Sequence, residues 1–451
     1  MEEIKFTLTR RNFVKTVATV GAGAVLSSVA GAQEEKPQGT AKTTPKPDDL
    51  NVAIIGAGSQ GRWLLTNALK IEGIRFVAVC DIWDYSREYA TKLLKKFDHD
   101  PRTYADYQDM LASEKDLDAV IVASPDWVHA EHSIACMKAG LHVYCEKEMS
   151  NDLAQAKEMV LTSRATGKLL QIGHQRRSNP RYHHALKMIE KDRILGRITH
   201  CYGQWNRGAS QSDDLGWPKE REIDEATLKK YGYENMFRFR NWRWFRQYSG
   251  GLIADLGSHQ IDIYNWFLKT PPKTVIASGG LDYYKNREWY DNVMTIYEYQ
   301  TAEGPVRAYY QVINTSSFGG FYEVFLGDEG AMQISEDATI GRIIRESRAQ
   351  KKEWEDDAKK VDQMGRAEIE LKVGETLKAG KKDAQVEQMV ADLEKKPHQV
   401  HLENFFNAIR KGTPLTCPGE VGYETAVSVL AANDAIEKKG MVEFNPDQFK
   451  V

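Results

Sequence analysis

NVAIIGAGSQGRWLLTNALKIEGIRFVAVCD, residues 51–81, is the stretch that decides the fold. Asn51 to Ile55 is a short apolar run of the kind that forms a buried strand. It enters Gly56-Ala57-Gly58-Ser59-Gln60-Gly61 directly, and a helical stretch, Arg62 to Lys70, follows. A G-x-G-x-x-G string alone is a weak signal. Between a strand and a helix it becomes a dinucleotide-binding fingerprint, because the glycines let backbone approach a pyrophosphate at a helix N-terminus. A second strand, Arg75 to Cys80, ends in Asp81, twenty residues after Gly61. A carboxylate there suits the ribose hydroxyls of NAD and repels the 2′-phosphate of NADP. NAD is therefore the expected cofactor.

The alternation continues along the chain. Strands are expected at Asp118–Ala123, Leu141–Cys145 and Leu169–Gly173. Helices are expected at His129–Lys138 and from a cap at Asn151 or Asp152 to about Ala165. Short strands separated by helices imply a doubly wound parallel sheet of the Rossmann type, an α/β architecture. Ligands bind at the C-terminal ends of such strands. Asp81, the run Ser124-Pro125-Asp126-Trp127-Val128-His129 and Glu146-Lys147-Glu148 all fall at those ends.

Composition removes several function classes. With 61 basic and 64 acidic residues the formal charge is −3, which gives no support for a nucleic-acid partner. Ten Trp, twenty Tyr and fifteen Phe are too many for a disordered chain. Five scattered Cys without a Cys-x-x-Cys pair exclude a disulfide scaffold and a zinc ribbon. Adjacent His183 and His184 would diverge on a helix, so no metal site is expected.

The first fifty residues pose a separate question. Thr9-Arg10-Arg11-Asn12-Phe13-Val14-Lys15 precedes a weakly apolar stretch, Val17 to Val29, that ends in Ala30-Gly31-Ala32. Paired arginines, a modest apolar region and small residues in that order predict a twin-arginine export signal over 1–32. The protein is then expected in the periplasm or otherwise outside the cytoplasm. No membrane anchor is expected once the signal is removed. Its loss takes away four basic and two acidic groups and leaves a net charge of −5. Residues 33–49 read as a solvated linker, followed by a nucleotide domain over 50–174 and a second domain over 175–451.

In the second domain, alternating segments at Thr274–Gly279, Val293–Tyr299, Val306–Ile313 and Tyr322–Gly327 fit an antiparallel sheet. His174 to His184 follows a strand end, so Arg176, Arg177 and Tyr182 are candidates to line a cleft and bind substrate oxygens. The run FRFRNWRWFR, residues 237–246, interleaves four arginines with five aromatics. It fits a sugar-binding wall, which adds Arg243 and, upstream, Trp205; structural Arg–aromatic packing fits it equally. Residues 345–396 are dense in Lys, Glu and Asp and read as a charged surface insertion with helical pieces. Helices close the chain over about 398–440.

Taken together, these motifs resemble those of the Gfo/Idh/MocA oxidoreductases. The carrying residues are GAGSQG (56–61), SPDWVH (124–129), AGLHVYCEKE (139–148) and GGLIADLGSHQID (250–262). The resemblance implies a Rossmann domain joined to an α+β domain with a large, mostly antiparallel sheet. It also implies sugar or polyol substrates and a homo-oligomer. The cofactor positions are then Gly56, Gly58, Ser59, Gln60, Gly61, Asp81, Ser124, Trp127, His129, Glu146 and Lys147. Lys147 matches the family's catalytic lysine, and Asp255 and His259 match its acid and histidine. Read from the residues, Asp255 and His259 are four apart in a helical stretch and share a face. His259 suits removal of a hydroxyl proton, and Lys147 suits acid–base work beside a cationic nicotinamide. Glu148 stands where the family usually has proline. It is either a second acid–base group, a partner that damps Lys147, or a solvent-facing side chain.

These expectations define an NAD-dependent sugar oxidoreductase with a tightly held, internally recycled cofactor. The alternative is a redox-neutral glycoside hydrolase that oxidises, eliminates, hydrates and reduces. A non-catalytic sugar-binding protein is the third reading.

Overall fold

The computed structural model describes residues 48–347, 349–352, 355, 360–363, 366–370 and 384–451. The export segment expected at 1–32, and the linker up to residue 47, lie outside the described residues.

Six strands form the first sheet: β1 (Leu50–Ile55), β2 (Ile74–Cys80), β3 (Arg102–Tyr104), β4 (Ala119–Val122), β5 (His142–Cys145) and β6 (Leu170–Ile172). All pair in parallel, in the order β3-β2-β1-β4-β5-β6. Helices cover both faces, which is why Ala119-Val120-Ile121-Val122 is a continuous apolar run with no exposed side chain. The intervening helices are α1 (Ser59–Ala68), α2 (Asp84–Lys95), α3 (Tyr107–Ser113), α4 (Asp126–Lys138) and α5 (Leu153–Thr166). α1 and α4 begin at Ser59 and Asp126 rather than at Arg62 and His129. Gly58 and Pro125 are the extended N-cap residues, so the second half of each motif is already the first helical turn.

Then come α6 (Pro180–Glu190), the central strand β7 (Ile198–Asn206), the short helices α7 (Glu225–Lys230) and α8 (Met236–Arg240), and α9 (Ser258–Leu268). The second sheet is completed by β8 (Pro272–Gly280), β9 (Asn292–Thr301), β10 (Gly304–Ile313), β11 (Phe321–Gly327), β12 (Gly330–Ile334), β13 (Gly341–Arg345), β14 (Lys360–Gln363), β15 (Arg366–Glu370) and β16 (Val442–Glu443). Its order is β14-β15-β13-β12-β11-β7-β10-β9-β8-β16. β7 and β10 pair in parallel; every other pair is antiparallel. The charged stretch 345–396 is thus not only helical surface: β14 and β15 extend the sheet edge, and α10 (Ala384–Asp392) follows.

Two closing helices, α11 (Pro397–Lys411) and α12 (Gly419–Lys438), tie the sheets together. Leu402, Phe405 and Phe406 of α11 join Val52, Ile54, Leu64 and Leu65 in one apolar cluster on the first sheet. Each buried phenylalanine contributes roughly 1.5–3 kcal/mol. α12 lies between the sheets, where Tyr297 donates to Ser428 O at 3.0 Å and Asn433 donates to Gly250 O at 2.8 Å. Among the described residues no helix is long and apolar enough to cross a membrane.

Candidate active site

A single cleft of about 900 Å³ runs from the glycine loop to the edge of the second sheet. It opens at the C-terminal ends of β1, β2, β4 and β5, as parallel-sheet topology requires. Its other wall comes from the second domain through Trp205, Arg207, Lys230–Gly232, Arg240–Trp244, Asp255, His259 and Phe321.

The loop after β1 fits a dinucleotide. Gly56 has φ +92°, and a Cβ there would lie 2.5 Å from backbone atoms of Ala123 and Ser124. At Gly61 a Cβ would lie 2.0 Å from Gly56 O, so this glycine sits beneath the loop and lets α1 close on it. The Cβ position of Gly58 meets open space, and α1 begins without a side-chain cap or an acidic residue in its first turn. Its leading N–H groups are left for an anion. Asp81 accepts the N–H of Ala57 at 2.7 Å and of Trp83 at 2.8 Å, so the carboxylate braces the loop as well as lining the cleft. Ser59, Gln60, Ser124, Trp127, Glu146 and Lys147 also line it.

His129 does not line the cleft. It is buried, its ring nitrogens lie 2.8 Å from Glu148 O and 2.6 Å from Ser124 O, and burial pushes its pKa down to about 4. Its part is to lock the loops after β4 and β5, not to touch a cofactor.

At the far end, Lys147 Nζ donates to Asp255 O and lies 3.4 Å from Asp255 Oδ1. The peptide bond between Lys147 and Glu148 is cis. Asp255 sits in a π-helical turn, Ile253–Gly257, that runs into α9 and delivers His259 to the same cleft. The shared face read from the spacing is reached through this widened turn, a feature common at functional sites. Burial alone would raise the Asp255 carboxyl. Lys147, Arg243 and Arg207 outweigh it and hold the group well below the usual carboxylate range. His259 is buried, and that burial, with the charges of Lys147 and Arg176, holds its pKa well below the usual value. Among the described residues its Nδ1 has no hydrogen-bond partner, and Trp205 packs 5.4 Å away.

Four candidate residues lie elsewhere. Glu148 is fully buried, neither in the cleft nor in solvent. Its Oε1 accepts the Met149 N–H at 2.7 Å, and burial pushes its carboxyl up to about 8. Arg176 pairs with Glu323 and lies 3.3 Å from Glu336. Arg177 pairs with Asp262 at 2.8 Å. Tyr182 donates to Glu323 at 2.8 Å. Guanidinium groups this buried persist only when paired, and the second domain supplies the carboxylates. These residues are structural; they do not reach a sugar in this cleft.

Three cleft residues carried no assignment in the sequence. Asp126 was visible within SPDWVH. Burial raises its carboxyl to about 7 against Lys147 and Arg243, and Ser249 donates to it at 3.3 Å. Arg207 follows Trp205 by two residues at the end of β7, so strand periodicity could have found it once that strand was recognised. His398 contacts Gln60 at 3.4 Å across 338 residues of sequence, and nothing local announces it.

In the 237–246 run all four arginines stack on aromatic faces. Arg238 lies 4.2 Å over Phe245, Arg240 4.9 Å over Trp83, Arg243 4.2 Å over Trp242 and Arg246 4.4 Å over Trp289. Packing thus holds throughout the run, and Arg240–Trp244 also line the cleft.

A Rossmann sheet whose glycine loop shares one cleft with a lysine, an aspartate and a histidine defines a two-domain dinucleotide-binding protein with acid–base groups at the far end. The chain belongs to the Gfo/Idh/MocA oxidoreductase family. Residues 50–174 match its NAD-binding Rossmann fold, and residues 187–444 match its C-terminal alpha/beta domain. Among curated relatives, the chain is 32% identical over 185 residues to a 2,7-anhydro-N-acetylneuraminate hydratase of Mediterraneibacter gnavus, covering 41% of this chain and 47% of that protein. It is 35% identical over 175 residues to a glycosyl hydrolase family 109 protein of Parabacteroides distasonis, covering 36% and 37%. The chain thus spans less than half the length of these relatives. Among solved structures, myo-inositol 2-dehydrogenase from Lactobacillus plantarum aligns with a TM-score of 0.62 at 19% identity, over 88% of this chain and all of that one. Levoglucosan dehydrogenase in complex with NADH aligns at 0.63 and 18% identity, over 88% and 99%. These likenesses concern the fold.

Proposed function

We propose that the chain is an NAD-dependent, carbohydrate-active oxidoreductase that works on a sugar hydroxyl. The observation that carries this reading is the convergence of Lys147, Asp255 and His259 at the end of the cleft opposite the glycine loop. When bound, the nicotinamide supplies hydride transfer at the sugar carbon. Neutral His259 is placed to take the hydroxyl proton. Lys147 spends two of its three donors on Asp255 and keeps one for the oxygen on which charge develops. Asp255 fixes that ammonium, and Arg243 holds Asp255 at 3.2 Å.

A strap formed by residues 207–248 favours a resident cofactor. It is anchored on both banks of the cleft. On one side Trp83 Nε1 donates to Arg221 O at 2.6 Å, and Arg221 pairs with Asp84 at 3.2 Å and Glu88 at 2.9 Å. On the other, Trp127 packs edge-on against Tyr233 at 5.6 Å, and Lys230 lies 3.5 Å from Asp106. A dinucleotide held under it leaves only if these contacts open.

A resident cofactor must be regenerated in place. Redox-neutral glycoside hydrolysis does this, and the likeness to the family 109 glycosyl hydrolase favours it as the second reading. The same need follows from export, since free NAD is scarce outside the cytoplasm. We read residues 1–32 as a twin-arginine signal on the order of its features. A fusion of these residues to a reporter should reach the periplasm, and Arg10→Lys with Arg11→Lys should stop it; unchanged export of the double variant sinks the assignment.

The open face of the second sheet supports a homo-oligomer. Ile276, Ile296, Tyr309 and Tyr202 form one exposed row across β8, β9, β10 and β7. An apolar row of this kind is characteristic of an interface. Gel filtration tests both points: the protein should elute as a multiple of 51.2 kDa or of its shorter processed form, with NAD still bound. With nitrophenyl glycosides of both anomers and no added cofactor, release without net NADH identifies the hydrolase, and accumulating NADH identifies the dehydrogenase. Protein that elutes free of NAD and turns over the soluble cofactor rejects internal recycling.

A further inference from the structure

The reaction end of the cleft carries more positive charge than its own chemistry uses. Three cations converge on the single carboxylate of Asp255: Lys147 at 3.4 Å, Arg243 at 3.2 Å and Arg207 at 3.9 Å. Arg243 engages it through Nε alone, and among the described residues neither terminal amino group has a hydrogen-bond partner. The Arg207 contact is longer than a hydrogen bond, and among the described residues its guanidinium donates none. Both heads rest near indoles, Arg243 at 4.2 Å from Trp242 and Arg207 at 5.9 Å from Trp205, an arrangement that leaves guanidinium edges free. Their side chains are 36% and 29% exposed, so these edges reach the cavity.

The nearby acids do not cancel this surplus. Burial raises the Asp126 carboxyl to about 7, Glu336 lies 3.3 Å from Arg176 and accepts from Gln175 at 2.9 Å, and Asp213 is exposed at the rim. Glu146, also buried, accepts the Tyr144 hydroxyl at 3.3 Å. The cofactor diphosphate does not need these arginines. Its place is the N-terminus of α1 after β1, whereas Lys147 follows β5, two strands or about 10 Å away across the sheet.

We propose that the carbohydrate taken by this cleft bears a carboxylate, held between Arg207 and Arg243 beside Asp255. Two planar guanidinium groups recognise a carboxylate through paired, charge-assisted hydrogen bonds. A neighbouring hydroxyl is left to Lys147 and His259, which line the same cleft. Uronic acids and their glycosides are the class that combines the two features. The inference rests on the reading of Lys147, Asp255 and His259 as a reaction centre, and it names the substrate of that same site.

Tryptophan fluorescence of the NAD-loaded protein tests it, because Trp205 and Trp242 lie beside the two arginines. The probes are D-glucuronate and D-galacturonate, their neutral parents D-glucose and D-galactose, and glucose 6-phosphate, with absorbance at 340 nm read in parallel. At least one uronate should bind about ten-fold more tightly than its parent, with an advantage that shrinks as NaCl rises. Arg207→Gln and Arg243→Gln should each erase most of that preference, with thermal melts confirming that the variants are folded. No preference for a uronate, or an unchanged preference in both variants, overturns the proposal. Tighter binding of glucose 6-phosphate overturns the carboxylate assignment. Neutral sugars that reduce the bound cofactor where uronates do not leave the enzyme reading standing and remove this one. Uronates that quench the fluorescence, with no probe reducing the cofactor, do the reverse.

Discussion

Replacing Lys147 by methionine is expected to lower turnover by about 10²- to 10⁴-fold while the protein stays folded and keeps its cofactor. The side chain is 13% exposed and its polar partners are the carbonyl and carboxylate of one residue, Asp255. Methionine fills a similar volume. Asp255 keeps Arg243 and Arg207, so no carboxylate is left buried without a cation. What disappears is the ammonium proton that faces the reacting oxygen. The loss should therefore fall on the chemical step, read as single-turnover formation of NADH at 340 nm with a substrate identified in the glycoside panel. Full activity in the variant would remove Lys147 from the reaction centre.

The largest effect on stability is expected at Arg176. Its side chain is 1% exposed and pairs with Glu323, which is 0% exposed and also receives the Tyr182 hydroxyl. Removing one partner of a buried pair typically costs 3–5 kcal/mol, because the other is left as an uncompensated charge. Arg176→Met should lose about that much in urea unfolding. Burial already pushes the Glu323 carboxyl up against the pull of Arg176. Without the arginine it rises further, so the folded state holds a proton that the unfolded chain gives up. Stability of the variant should then fall as pH rises above the unfolded carboxyl value, and the deficit should be smaller at pH 5 than at pH 8. Arg176→Met combined with Glu323→Gln should recover a large part of the loss. A single variant as stable as the parent at both pH values would contradict the buried pair.

Arg176 also marks where sequence reading stops. A guanidinium following a strand end looks like a ligand-binding group. Whether it reaches the cleft or turns beneath the second sheet depends on Glu323, 147 residues further on. Arg177 is decided in the same way by Asp262, and Glu148 by the closure of the chain over the end of β5. Strand β7 escapes recognition because Ile198–Asn206 mixes Thr, His, Gly and Gln into its alternation, yet it stands at the centre of the second sheet. The Rossmann half is legible because its signals are local: a buried parallel strand is a contiguous apolar run, and a glycine loop must sit between strand and helix.

The sequence by itself determined the first domain, its cofactor loop, Asp81, and the strand ends at which the cleft opens, since each is set by neighbours within about thirty residues. It also singled out Lys147, Asp255 and His259, which the structure brings to one cleft. Only the tertiary structure decided which charged side chains face the cavity. Arg207, Arg243 and His398 reach it, and Arg176, Arg177 and Glu148 do not. The reason is energetic: a charge is buried or exposed according to the partner that chain-distant elements bring to it, and no local pattern records that partner.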